Sequence, residues 1–201
     1  IAFTVKHTNK RIPVIAGSGA NSTREAIDLT KESKRLGADY ALIVTPYYNK
    51  PNQNGLIAHY SAIADAVDID QILYNVPSRT ACDLLPSSVS VLSKHKNIIG
   101  IKEASCIIEQ CMEIVYHKPE DFLLISGDDV QAVPIISIGG VGVMSVIANA
   151  FPQQFTSMIH HALAGDFTSA SKELGKFLTI DPFLYEEGNP VGVKKLLENQ
   201  G

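Results

Sequence analysis

The chain has 201 residues, 45% hydrophobic and 19% charged, with a formal net charge of −4 and a sequence pI of about 5.8. This is a globular composition, enough for one sizeable core, either as a single domain or as a domain with a small extension. No Arg-rich run or basic stripe points to nucleic acid, no apolar stretch approaches the roughly 18 residues of a membrane span, and no signal-peptide pattern occurs.

The first residues, Ile1 to His7, enter a helical pattern with no capping signal and no initiator Met, so the chain is expected to begin inside a helix of a longer protein. Six short apolar runs then recur, at intervals of roughly 20–30 residues, each followed by a segment of helical periodicity, as in βα units. They are Ile12–Ala16, Tyr40–Val44, Gln71–Val76, Ile98–Lys102, Phe122–Ser126 and Gly142–Ile147. Between them, Asn21-Ser22-Thr23 reads as an N-cap with acidic residues in the following turns, and Gly37 as that helix's stop. Pro86 and Pro152 each open a helix, the second running through Phe155, Met158, Ile159 and Leu163. After about residue 165 the alternation stops, and Asp166–Leu178 and Pro190–Leu197 read as helices of a C-terminal extension.

Fully apolar strands alternating with helices mean a parallel α/β fold. A doubly wound dinucleotide binder needs Gly-x-Gly-x-x-Gly after a strand. Gly17-Ser18-Gly19-Ala20-Asn21 lacks the third glycine and the acidic strand end. The expected fold is therefore a (β/α)8 TIM barrel, here with six units and its first two strands missing. Residues 1–165 would form the barrel part and 166–201 the helical extension.

In such a barrel the chemistry sits at the C-terminal ends of the strands. Lys102 ends an apolar run. Partial desolvation there disfavours an ammonium, and a neutral amine attacks carbonyls, so Lys102 is a candidate Schiff-base nucleophile; the plain alternative is a lysine snorkelling to water. Tyr74, one strand earlier, is a candidate proton relay or a core tyrosine bonded to backbone. Arg79 suits a substrate carboxylate or is a surface arginine. Tyr47-Tyr48, bounded by Pro46 and Pro51, form a substrate wall or a subunit contact. Gly127 permits close approach of a ligand or makes a plain turn. Asp128-Asp129 lack a third metal ligand and fit a helix N-terminus better. His160-His161 read as surface. Cys82, Cys106 and Cys111 match neither a disulfide framework nor a zinc spacing, so a reducing cytoplasm is expected, with no metal and no cofactor.

Taken in order, Val44-Thr45-Pro46-Tyr47-Tyr48-Asn49, Leu73-Tyr74-Asn75-Val76-Pro77-Ser78-Arg79-Thr80, Ile99-Gly100-Ile101-Lys102-Glu103-Ala104 and Ser126-Gly127-Asp128-Asp129 resemble the dihydrodipicolinate synthase family of class I aldolases. That family also contains N-acetylneuraminate lyase. The resemblance runs from about Ile12 to at least Asn149 and on toward Pro190-Val191. It implies a tetrameric or dimeric cytoplasmic barrel enzyme of lysine and diaminopimelate biosynthesis. Pyruvate would condense with Lys102, and the enamine would attack aspartate semialdehyde to give hydroxytetrahydrodipicolinate. It further implies Tyr74 as relay phenol, Tyr48 as the tyrosine that completes a neighbouring subunit's relay, and Arg79 as semialdehyde carboxylate binder. Gly127 and Met144 would line the pyruvate pocket, and Asn21, Glu25 and Tyr47 would form a site for feedback L-lysine. Met144 stands where isoleucine is commoner, a volume-conserving change. Ala81 stands where glycine is usual, which is expected to stiffen that turn. The family's Thr-Thr-Gly-Glu segment is not in this sequence, so the 201-residue polypeptide alone is expected to be inactive. Another pyruvate aldolase, or a non-catalytic barrel acting as sensor or assembly partner, are the alternative readings.

Overall fold

The computed structural model describes residues 1–201, which divide into two compact units, Ile1–Leu124 and Ile125–Gly201. The first runs α1 (Ala2–Thr8), β1 (Ile15–Gly17), α2 (Thr23–Arg35), β2 (Tyr40–Val44), α3 (Gln53–Ala66), β3 (Asp70–Asn75), α4 (Pro77–Thr80), α5 (Pro86–Leu92), β4 (Ile98–Glu103) and α6 (Ile108–His117). β5 (Leu123–Ser126) straddles the division. The second continues with α7 (Ala132–Ser137), β6 (Gly142–Val143), a 3₁₀ turn at Ile147–Asn149, α8 (Pro152–Leu163), α9 (Phe167–Phe177), α10 (Asp181–Tyr185) and α11 (Val191–Gln200). No helix is long and apolar enough to cross a membrane.

In the first unit the strands lie in the order β1-β2-β3-β4, all paired in parallel, with helices as the crossovers. Sequential order without reversal is what barrel winding requires; a doubly wound sheet reverses at a switch point. Period-2 alternation then sorts the residues. Ile43, Leu73 and Ile101 are fully buried on one face, packed under the helices, and Tyr60 of α3 donates its hydroxyl to the carbonyl of Ile43 at 3.2 Å. β5 and β6 also pair in parallel. The second unit's core is helical. Phe155, Met158 and Ala162 of α8 pack with Ala170 and Phe177 of α9, Leu184 of α10 and Val193 of α11. The Phe155 and Phe177 rings lie 5.5 Å apart.

The local helix signals act as read. Ser22 Oγ accepts from Glu25 N at 3.4 Å, Gly37 follows α2 at φ 89°, and Pro86 and Pro152 open α5 and α8. Two strands differ from expectation. β1 begins at Ile15 rather than Ile12. Pro13 has no N–H, and Val14 N is taken by the Asp39 carboxylate at 2.7 Å, so neither residue can donate to a ladder. The run Gly142–Ile147 yields only the two-residue β6. There the Asp129 carboxylate takes the amides of Val146 (3.1 and 3.2 Å) and Ile147 (3.0 Å) and turns the chain into the 3₁₀ segment. Among the helices after residue 165, α10 is an additional short one.

Candidate active site

The register of β2, β3 and β4 aligns Val44 with Tyr74 and Tyr74 with Lys102. These three residues share the face opposite Leu73 and Ile101. Lys102 Nζ lies 4.1 Å from the centroid of the Tyr74 ring, and both side chains are half-buried. Burial pushes the Tyr74 phenol above its ordinary value of 10.0, with Arg79 pulling the other way, so the hydroxyl keeps its proton at neutral pH. Two residues before Lys102, Gly100 leaves no room for a side chain, since a Cβ there would stand 2.7 Å from the Leu123 carbonyl oxygen.

Arg79 is exposed on α4, the short helix that Pro77 opens directly after β3. α4 is anchored by Thr80, fully enclosed, whose hydroxyl receives that of Thr45 at 3.1 Å. Ala81 follows at φ 53°, ψ 26°, a left-handed conformation that suits glycine and costs an alanine about 1–2 kcal/mol. The Thr45–Pro51 loop carries the tyrosine pair. Asn49 N bonds to Tyr47 O at 2.9 Å across Tyr48, which sits at φ 72° with 90% of its surface exposed. A three-residue turn with positive φ at its centre is rare and strained. Asn21 is stitched to this loop twice, donating to Tyr47 O at 3.2 Å and accepting from Asn49 at 2.9 Å. Asn21 and Tyr47 are thus adjacent, while Glu25 is exposed one turn into α2. Gly19 permits close approach to the end of β2, because a Cβ there would collide with the backbone nitrogen of Val44.

Behind the Tyr74–Lys102 pair lies a polar group that sequence reasoning did not single out. Glu103, only 1% exposed, accepts from Asn75 Nδ2 at 3.0 and 3.2 Å and from Ser105 N at 2.6 Å. Asn75, fully buried, also donates to Asp83 at 2.8 Å and accepts from Leu84 N at 2.9 Å. Gln110 of α6 donates to the other Asp83 oxygen at 2.8 Å. Burial drives the Glu103 carboxyl above its usual value of 4.5, the Asn75 and Ser105 hydrogen bonds oppose this, and Asp83 adds to it. The available signal was an acid alternating with Ile101 on the apolar face of a strand.

In the second unit, Gly127 and Met144 are both half-buried, and Met144 N bonds to Ser126 O at 2.9 Å, which continues the β5–β6 pairing. Asp128 Oδ1 accepts from Gln131 N at 2.9 Å in the turn that precedes α7, whose own cap residue is Gln131. Asp129 instead holds the turn after β6. His160 is exposed, and His161 meets Asp166 at 3.3 Å on the surface. Cys82, Cys106 and Cys111 are free thiols, and no cluster of three or more His, Cys, Asp or Glu could hold a metal ion.

The model of the dihydrodipicolinate synthetase family matches residues 1–201. The chain belongs to that family. It is 49% identical over 201 residues to the 4-hydroxy-tetrahydrodipicolinate synthase of Buchnera aphidicola, covering 100% of this chain and 68% of the relative. It superposes with a TM-score of 0.97 and 44% identity on the chloride-inhibited dihydrodipicolinate synthase of Acinetobacter baumannii complexed with pyruvate, covering 100% of this chain and 69% of that one. The enzyme of Cyanidioschyzon merolae with lysine bound gives a TM-score of 0.89 at 40% identity, over 92% of this chain and 63% of that one. The chain spans between 65% and 69% of the length of the curated relatives it matches. The family resemblance read from the four motifs therefore holds along the whole chain.

Proposed function

We propose that this chain condenses pyruvate with aspartate semialdehyde to 4-hydroxytetrahydrodipicolinate, the step that leads into diaminopimelate and lysine biosynthesis, as part of a (β/α)8 barrel. The observation that carries the reading is the Lys102 amine over the Tyr74 ring at the aligned ends of β3 and β4. The neutral amine attacks the pyruvate ketone, and loss of water leaves the protonated Schiff base. Loss of a methyl proton gives the enamine, whose carbon attacks the aldehyde. Nitrogen of the semialdehyde then closes the ring and displaces Lys102. The Tyr74 phenol, held protonated by burial, is suited to pass protons to and from the carbinolamine and the aldehyde oxygen. Arg79, exposed and close enough for its charge to be felt at Tyr74, is suited to a carboxylate at the mouth.

Gly127 and Met144 are assigned to the pyruvate wall, Tyr48 to the relay of a neighbouring subunit in a homo-oligomer, and Asn21, Glu25 and Tyr47 to an L-lysine site. The exposure and strain of Tyr48 support a role outside its own subunit, and the Asn21–Tyr47 stitch together with the lysine-bound relative supports the regulatory site. Three free thiols fit a cytoplasmic protein. Incubation of the full barrel enzyme with pyruvate and borohydride tests the mechanism: mass spectrometry should find the reduced adduct on Lys102, and an unlabelled Lys102 overturns the reading.

A further inference from the structure

We infer that Glu103 is a positioning residue for the condensation, its carboxylate clamping the ends of β3 and β4 so that Tyr74 and Lys102 stay opposed. The inference rests on the condensation reading above. Tyr74 pairs with Lys102 in register, and the next pair along is Asn75 with Glu103. The first pair faces the reactive side; the second faces the helices, where a parallel strand ordinarily places Val, Ile or Leu. The Glu103 carboxyl accepts with both oxygens from Asn75 Nδ2 and with one from Ser105 N. Asn75 spends one amide hydrogen on Glu103 and the other on Asp83. Asp83 is in turn held by Gln110. The clamp thus ties two strand ends, the loop before α5, the turn after β4 and helix α6 at one buried point. A burial this deep is costly for an acid and unnecessary for packing alone. Its geometric effect falls one residue from the reacting amine.

A carboxamide at 103 would turn an NH₂ group toward the NH₂ of Asn75, so Glu103→Gln breaks the clamp while nearly preserving volume. The clamp's loss should lower kcat by about 10–100-fold while KM for pyruvate stays within about threefold, because binding survives and alignment does not. The variants are made in the full barrel enzyme, and turnover is normalised to the borohydride-trapped Lys102 adduct per chain, so unfolded protein does not count. Glu103→Asp keeps the charge one methylene short and should fall between wild type and Gln. Asn75→Ala removes the donor from the other strand and should reproduce the Gln phenotype. A normalised kcat equal to wild type in Glu103→Gln overturns the clamp, as does a loss confined to the trapped fraction. Where the Gln variant does not fold, wild-type normalised turnover in Glu103→Asp and Asn75→Ala overturns it instead. A wild type that traps no adduct sinks the condensation reading and the clamp together; a trapping wild type with an unaffected Gln variant sinks the clamp alone.

Discussion

The two faces of β2–β4 ask opposite things of residues that are sequence neighbours. One face carries Val44, Tyr74 and Lys102, half-open and reactive; the other carries Ile43, Leu73 and Ile101, fully enclosed, and ends in the Asn75–Glu103 clamp. Since the side-chain period is two, a slip of one residue would exchange these sets. Away from that clamp, chemistry and stability are therefore separable by substitution at adjacent positions.

The largest expected effect is on the reactive face. Lys102→Ala should abolish the pyruvate–borohydride adduct and lower turnover by more than ~10⁴-fold, while thermal unfolding changes little. The counterpart one strand over, Leu73→Ala, should cost about 2–5 kcal/mol of stability by leaving a cavity, yet retain turnover per folded molecule. Loss of turnover at unchanged stability in Leu73→Ala would break the division between faces. Tyr74→Phe should lower kcat by about 10²-fold with the Lys102 adduct still trapped, which separates proton relay from nucleophilic attack.

A smaller effect tests the helical layer. His59 of α3 is 6% exposed, its Nδ1 shares a hydrogen bond with Thr23 of α2 at 2.8 Å, and burial lowers its pKa to about 4. The folded state resists a proton that the unfolded state takes up at its ordinary value of 6.5. Stability should be full above pH 6.5 and decline as pH falls toward 4, by on the order of 1–2 kcal/mol after solvent screening. His59→Leu should flatten that limb in denaturant titrations, with no change in the pH profile of adduct formation. The smallest effect is at the turn that carries Arg79. Ala81→Gly relieves a left-handed alanine and should change stability by only about 0.5–1 kcal/mol, in the stabilising direction, as read by Tm.

Much of this was legible in the sequence. β2, β3 and β4 fall within a residue of their apolar runs, because buried parallel strands leave an uninterrupted signature. The proximity of Tyr74 and Lys102 followed from placing both at neighbouring strand ends. What escaped was set by partners distant in sequence. Asp39 claims the amide of Val14 and shortens β1; Asp129 claims those of Val146 and Ile147 and cuts β6 to two residues. A local pattern cannot report an acceptor 17 or 25 residues away. The Asn75–Glu103–Asp83 clamp was hidden for the same reason. Ala81 was read as a stiffened turn, and its positive φ adds that the stiffness works against the alanine itself.

Tyr48 holds a backbone shape that glycine would adopt without penalty, yet it presents to solvent one of the bulkiest side chains available. Folding alone gives no reason for a tyrosine there: a smaller residue would expose less apolar surface, and glycine would relax the loop. The residue persists against the preference of its own main chain. The proposed relay in a neighbouring subunit would give that ring a surface to meet.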